Sequence, residues 1–140
     1  MKKRSIYLAA IVLALLTLTA CVKYEFSGAV DPAGKMFTIT AANAKKGDFL
    51  MSGSLEVEDG EQVVFTPSLK KGTIEIELIR EPEDQSIDVL PNYDDAESYK
   101  YEFSSADSAS DLVSAGSYMV KATCVNRATG TLQIDVKPAD

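Results

Sequence analysis

The chain has 140 residues with 14 basic and 21 acidic side chains, a formal net charge of −7, and neither histidine nor tryptophan. Without histidine there is no Ser-His-Asp or Cys-His catalysis and no histidine-ligated zinc or copper. The acidic balance repels phosphate backbones and argues against nucleic-acid binding.

The amino end is Met1-Lys2-Lys3-Arg4, followed by an apolar run from Ile6 to Leu18 with only Thr17 polar inside it. A positive start, a short apolar stretch and small residues at its end are the parts of a secretory signal. The run is shorter than the ~20 residues that span a bilayer. The tetrad Leu18-Thr19-Ala20-Cys21 resembles the lipobox of bacterial lipoproteins. The resemblance implies cleavage after Ala20, diacylglycerol on the Cys21 sulfur and acylation of the new amino end. Residue 22 is Val rather than Asp, so the resemblance implies the outer membrane in a Gram-negative host. In a Gram-positive host it implies the outer face of the plasma membrane.

Cleavage leaves 120 residues, enough for one domain with a modest core, and raises the net charge to −10 because Lys2, Lys3 and Arg4 depart. That charge repels anionic head groups, so the lipid must supply the membrane attachment. The segment 21–35 reads as a lipid-anchored tether. It contains a short strand around Tyr24–Phe26 and turn signals at Ser27-Gly28 and Asp31-Pro32-Ala33-Gly34.

From 36 to 140 the sequence alternates apolar and polar residues, the mark of strands with one dry and one wet face. Phe37, Ile39 and Ala41 share a face; Met51 and Gly53 lead into Leu55 and Val57. Asp59-Gly60 is expected to close a tight hairpin, with 62–66 running back. Ile74, Ile76 and Leu78 alternate, as do Tyr99, Tyr101 and Phe103, then Tyr118, Val120, Ala122 and Cys124, and finally Leu132, Ile134 and Val136. Residues 105–114 carry at most one short helical turn, capped by Asp107 or Ser108. About seven short strands predict an all-β, antiparallel two-sheet sandwich, with a small barrel as the alternative. The stretch Asp111–Val120 and the turn Asn126-Arg127-Ala128-Thr129-Gly130 resemble the penultimate strand and last hairpin of Ig-like sandwich modules. Taken over 50–80 and 111–137, the chain resembles small Firmicutes-type envelope lipoproteins with a single such domain. That resemblance brings no site with it.

Candidate sites are few. The acidic segment 81–97 contains Asp84, Asp88, Asp94 and Asp95 as weak calcium ligands, beside Glu81, Glu83, Glu97 and Asn92. Calcium takes six to eight oxygens. The spacing misses the twelve-residue calcium loop, however, and no Gly supplies its sharp turn. Pro82 and Pro91 favour a long solvated surface loop. A second cluster, Glu56, Glu58, Asp59 and Glu61, flanks the expected hairpin tip, where charge discourages edge pairing. Glu75 and Glu77 form a carboxylate pair on a wet strand face. Tyr93, Tyr99 and Tyr101 read as packing residues before a binding patch. Cys124 reads as a core residue. No catalytic residue or metal site is assigned, and the covalent lipid is the one prosthetic group expected. The functional expectation is a lipid-anchored, non-enzymatic envelope module that contacts a protein or glycan. The alternatives are an inhibitor or solute-binding accessory acting through segment 81–97, and a small carboxylate hydrolase.

Overall fold

The computed structural model describes residues 23–82 and 96–140. Nine strands form among them: β1 (Glu25–Val30), β2 (Met36–Ala44), β3 (Phe49–Val57), β4 (Glu61–Lys71), β5 (Ile74–Arg80), β6 (Ser98–Phe103), β7 (Ala109–Leu112), β8 (Gly116–Cys124) and β9 (Ala128–Pro138). One sheet has the order β1-β2-β9-β4-β7 and the other β3-β8-β5-β6. Every pairing is antiparallel. The sheets face each other and do not close into a barrel, so the expected two-sheet sandwich is what forms.

Alternation explains the core directly. Phe37, Ile39, Val63, Phe65, Leu132 and Ile134 point inward from the first sheet, and Leu55, Ile74, Ile76, Leu78, Tyr118 and Val120 from the second. All twelve are fully buried. Their intervening neighbours face water, as the two-residue pleat requires.

The connections depart from expectation. The order β2-β9-β4-β7 against β3-β8-β5-β6 is that of a jelly roll, with β1 added beside β2. Among the strands in chain order, only β1–β2 and β5–β6 are hydrogen-bonded neighbours. Asp59-Gly60 makes a tight turn, in which the Glu61 amide donates to the Glu58 carbonyl at 3.1 Å. That turn crosses from one sheet to the other and does not close a hairpin. Residues 125–127 likewise carry the chain from β8 to β9 in the opposite sheet, whereas an Ig-like module pairs its last two strands. A turn sequence dictates reversal and alternation dictates which side is dry. Neither selects the sheet in which a strand finds its partner.

One strand outgrows the short one expected around Tyr24–Phe26, and another arises outside the expected elements. β1 lies inside the stretch read as a tether and pairs with β2 from Glu25↔Ala42 to Val30↔Phe37. β7 replaces the expected helical turn in 105–114 and pairs with β4. Its four side chains are all exposed, so it has no apolar alternation to betray it. The register of β3 shifts between Ser52 and Leu55. This bulge reverses the faces, so Leu55 and Val57 point inward while Phe49 and Met51 are 67% and 50% exposed. The expectation that Met51 continues the Leu55 face is thereby corrected.

The turns sort to two ends. The proximal end holds Lys23, the β2–β3 turn (45–48), Thr73 and residues 125–127. It is stitched by Gly47 amide to Cys124 carbonyl (2.8 Å), Cys124 amide to Asp48 carbonyl (2.8 Å) and Val125 amide to Thr73 carbonyl (2.9 Å). The distal end holds the β1–β2 and β3–β4 turns and both described ends of the β5–β6 connection. There the Arg80 amide donates to Glu97 and the Glu81 amide to Ser117.

Candidate functional site

Cys21 and the tetrad Leu18, Thr19 and Ala20 lie outside the described residues, as do the calcium candidates Asp84, Asp88, Asp94 and Asp95, and Tyr93. The two ends of the acidic segment are described, and they converge on one polar cluster. The Tyr99 hydroxyl donates to Glu97 Oε1 at 2.5 Å, and Ser114 Oγ donates to Glu97 Oε2 at 2.9 Å. Arg80 lies 3.4 Å from the same carboxylate. The Tyr118 hydroxyl donates to the Ser114 carbonyl at 2.6 Å. Sequence separates Arg80, the Glu97–Tyr99 pair and the Ser114–Tyr118 pair; pairing of β5 with β6 and β8 gathers them. The Tyr99 hydrogen bond first, then Ser114 and Arg80, hold the Glu97 carboxyl below the ordinary carboxylate range. Burial pushes the Tyr118 hydroxyl up. The polar groups of the cluster are thus bonded to one another.

The Glu56–Glu61 cluster is also tied down. Lys35 Nζ lies 2.7 Å from Glu61 Oε2 and donates to the Glu56 carbonyl at 2.8 Å, while Ser117 Oγ donates to Glu56 Oε2 at 2.6 Å. The Lys35 ammonium, with the Glu58 amide, lowers the Glu61 carboxyl.

Glu75 and Glu77 sit on the outer face of the second sheet. Glu75 is opposite Glu102 and Thr123; Glu77 is opposite Lys100 and Lys121. Both side chains are half-buried on this face. Tyr99 and Tyr101 pack against the core. Cys124 is fully buried, its thiol pushed up by that burial. Among the described residues, no group of three or more acidic or thiol side chains is arranged to hold a metal ion.

The feature that sequence reading missed is a groove of about 610 Å³ at the proximal end, lined by Tyr24, Glu25, Phe26, Ala44, Lys45, Gly47, Asp48 and Phe49. Its geometry comes from β1 docking beside β2 and from the bulge that turns Phe49 outward. Lys45 Nζ stands 5.5 Å over the Tyr24 ring, a cation–π contact. The Asp48 carboxylate accepts the Lys45 amide at 2.9 Å. The groove is shallow and half polar, without a convergent catalytic pair. The only sequence signal for it was Tyr24 beside Lys23.

No protein-family model and no curated protein matches the chain. Among solved structures it is similar to the Drosophila melanogaster CENP-C cupin domain, at 8% identity over 84% of this chain and 73% of that one, with a TM-score of 0.38. It is similar to KdgF from Halomonas sp. at 12% identity over 84% and 90%, with a TM-score of 0.35. A CBM4 structure is similar at 12% identity over 82% and 77%, with a TM-score of 0.35. These likenesses are too distant to bring a site or an activity to this chain.

Proposed function

We propose that the protein is a lipid-anchored, non-catalytic binding module of the cell envelope, displayed on the outer side of a membrane and contacting a protein or glycan through its loops. The observation that carries this reading is the closeness of the sheet to the acylation site. β1 begins at Glu25, four positions after Cys21 of the lipobox. A lipid on Cys21 would hold the folded domain close to the surface that the lipid enters. The absence of histidine from the sequence favours binding over hydrolysis.

The second reading is an inhibitor or accessory protein that offers segment 81–97 to a partner. The fixed Glu97 root at the distal end favours it.

Expression of the wild type and Cys21→Ser with clickable palmitate tests the anchor. Label is expected on the wild type alone, and equal labelling of both would end the reading. Crosslinking on live cells should then capture an envelope protein or glycan. Turnover of peptidoglycan or glycosides that is lost in Glu75→Gln or Glu77→Gln would replace the binding module with a hydrolase.

A further inference from the structure

The charge of the sandwich is divided between its ends. At the proximal end Lys23, Lys45, Lys46, Lys70, Lys71 and Arg127 are all exposed, against Glu25, Asp48 and Asp107. One residue further in, Glu75 and Glu102 face each other on the outer face of the second sheet. At the distal end Asp31, Glu56, Glu58, Asp59, Glu61, Glu81 and Glu97 stand against Lys35, Arg80 and Lys137. The strongly negative chain therefore presents a basic end and an acidic end.

The basic end also carries exposed aromatic surface. Tyr24 is 60% and Phe49 67% exposed, and Val125 at the same end is 36% exposed. Aromatic rings and lysines together are what the head-group region of a bilayer accepts. Cys21 lies two residues before Lys23, and at ~3.5 Å per residue its Cα stays within about 7 Å of that of Lys23. A leash this short cannot carry an acylated sulfur to the distal end.

We propose that the proximal end is a membrane-docking face. Tyr24 and Phe49 rest among the head groups, the proximal lysines and Arg127 meet anionic phospholipid, and the acidic distal end points away from the membrane. This rests on the lipid-anchor reading. The expectation that the net charge repels head groups and leaves attachment to the lipid alone gives way to one in which repulsion of the distal end and attraction of the proximal end both orient the domain the same way. Glu81 and Glu97 then lie at the end most remote from the bilayer.

The test uses the mature lipoprotein, purified from host membranes and reconstituted into vesicles of phosphatidylcholine and phosphatidylglycerol with brominated acyl chains. The chain has no tryptophan, so Phe49→Trp and Leu112→Trp each install a single reporter, one at each end. Both positions are exposed, at 67% and 66%, so neither exchange disturbs the core. Emission of Phe49→Trp should be quenched severalfold more than that of Leu112→Trp. The difference should shrink when phosphatidylglycerol is omitted or when Lys45→Glu and Lys46→Glu are added. Equal quenching, stronger quenching at 112, or a difference indifferent to phosphatidylglycerol would overturn the docking face. If the protein meanwhile floats with the vesicles and shows acyl mass on Cys21, the anchor reading survives that failure. An unmodified Cys21 and no flotation would overturn both.

Discussion

Phe65 of β4 and Tyr101 of β6 lie ring to ring across the two sheets, their centroids 4.4 Å apart and their planes inclined at 44°. Phe103 approaches the same Phe65 ring at 5.0 Å. β4 and β6 belong to different sheets and share no ladder, so aromatic burial closes this side of the sandwich. The Tyr101 hydroxyl completes the latch by donating to Asp111 of β7 at 2.7 Å. Burial and this bond to a carboxylate both push the Tyr101 hydroxyl well above the ordinary tyrosine range.

Truncating Phe65 should therefore loosen the β6–β7 side. Phe65→Ala is expected to cost about 3–5 kcal/mol of unfolding free energy, and Phe65→Leu under about 1.5 kcal/mol. Urea titration followed by circular dichroism measures both, with the midpoint falling and the slope unchanged. A loss below about 1 kcal/mol for the alanine variant would mean that the cluster is not what joins the sheets.

Acid should erode the distal cluster. Glu97 and Glu61 have folded carboxyl values below their unfolded ones, for the partners already described. A lowered folded value stabilises the native state above the unfolded carboxylate range and loses that contribution as pH falls through the folded value. Stability should decline as pH drops below about 4.3, and Glu97→Gln should flatten part of that decline. Carboxyl carbon shifts in Tyr99→Phe should show Glu97 titrating at higher pH than in the wild type. No change would remove Tyr99 as the principal cause.

Two glycines separate backbone strain from crowding. Gly130 has φ 141°, and an added Cβ would stand 2.2 Å from the Ser68 carbonyl oxygen on β4. Gly47 has φ 91° with nothing within 4 Å of such a Cβ. Gly47→Ala should cost about 1–2 kcal/mol for the left-handed backbone. Gly130→Ala should cost clearly more, because β4 and β9 must part to admit the methyl group. Thermal denaturation of the pair checks this; equal losses would mean that the close approach is immaterial.

Cys124 should be silent toward thiol reagents in the native state. It is fully buried, and its Sγ donates to the Asn126 carbonyl at 2.6 Å. The thiolate, which is the reactive form, is further disfavoured by burial. Alkylation at mildly alkaline pH should follow the unfolding curve in urea. Rapid labelling without denaturant would contradict the packing.

Seven of the nine strands were legible because alternation reports the pleat wherever a strand has one wet face. β7 was not, since Ala109–Leu112 is exposed on every side chain and gains its structure from the free edge of β4. The outward turn of Phe49 was not, because a bulge displaces the register without changing the residues around it. Asp59-Gly60 announced a reversal correctly and its partner wrongly, since the two strands it joins are paired elsewhere, β3 with β8 and β4 with β9 and β7.

Side-chain periodicity and composition were enough to specify an all-β chain with a wet and a dry face, and to count its charges. The position of those charges was beyond them. Lys45, Lys71 and Arg127 come together at one end, and Asp31, Glu58 and Glu97 at the other, because successive antiparallel strands return the chain to alternate ends of the sandwich. The resulting separation of charge is a property of strand pairing across the whole chain, and long-range pairing leaves no trace in any local window of residues.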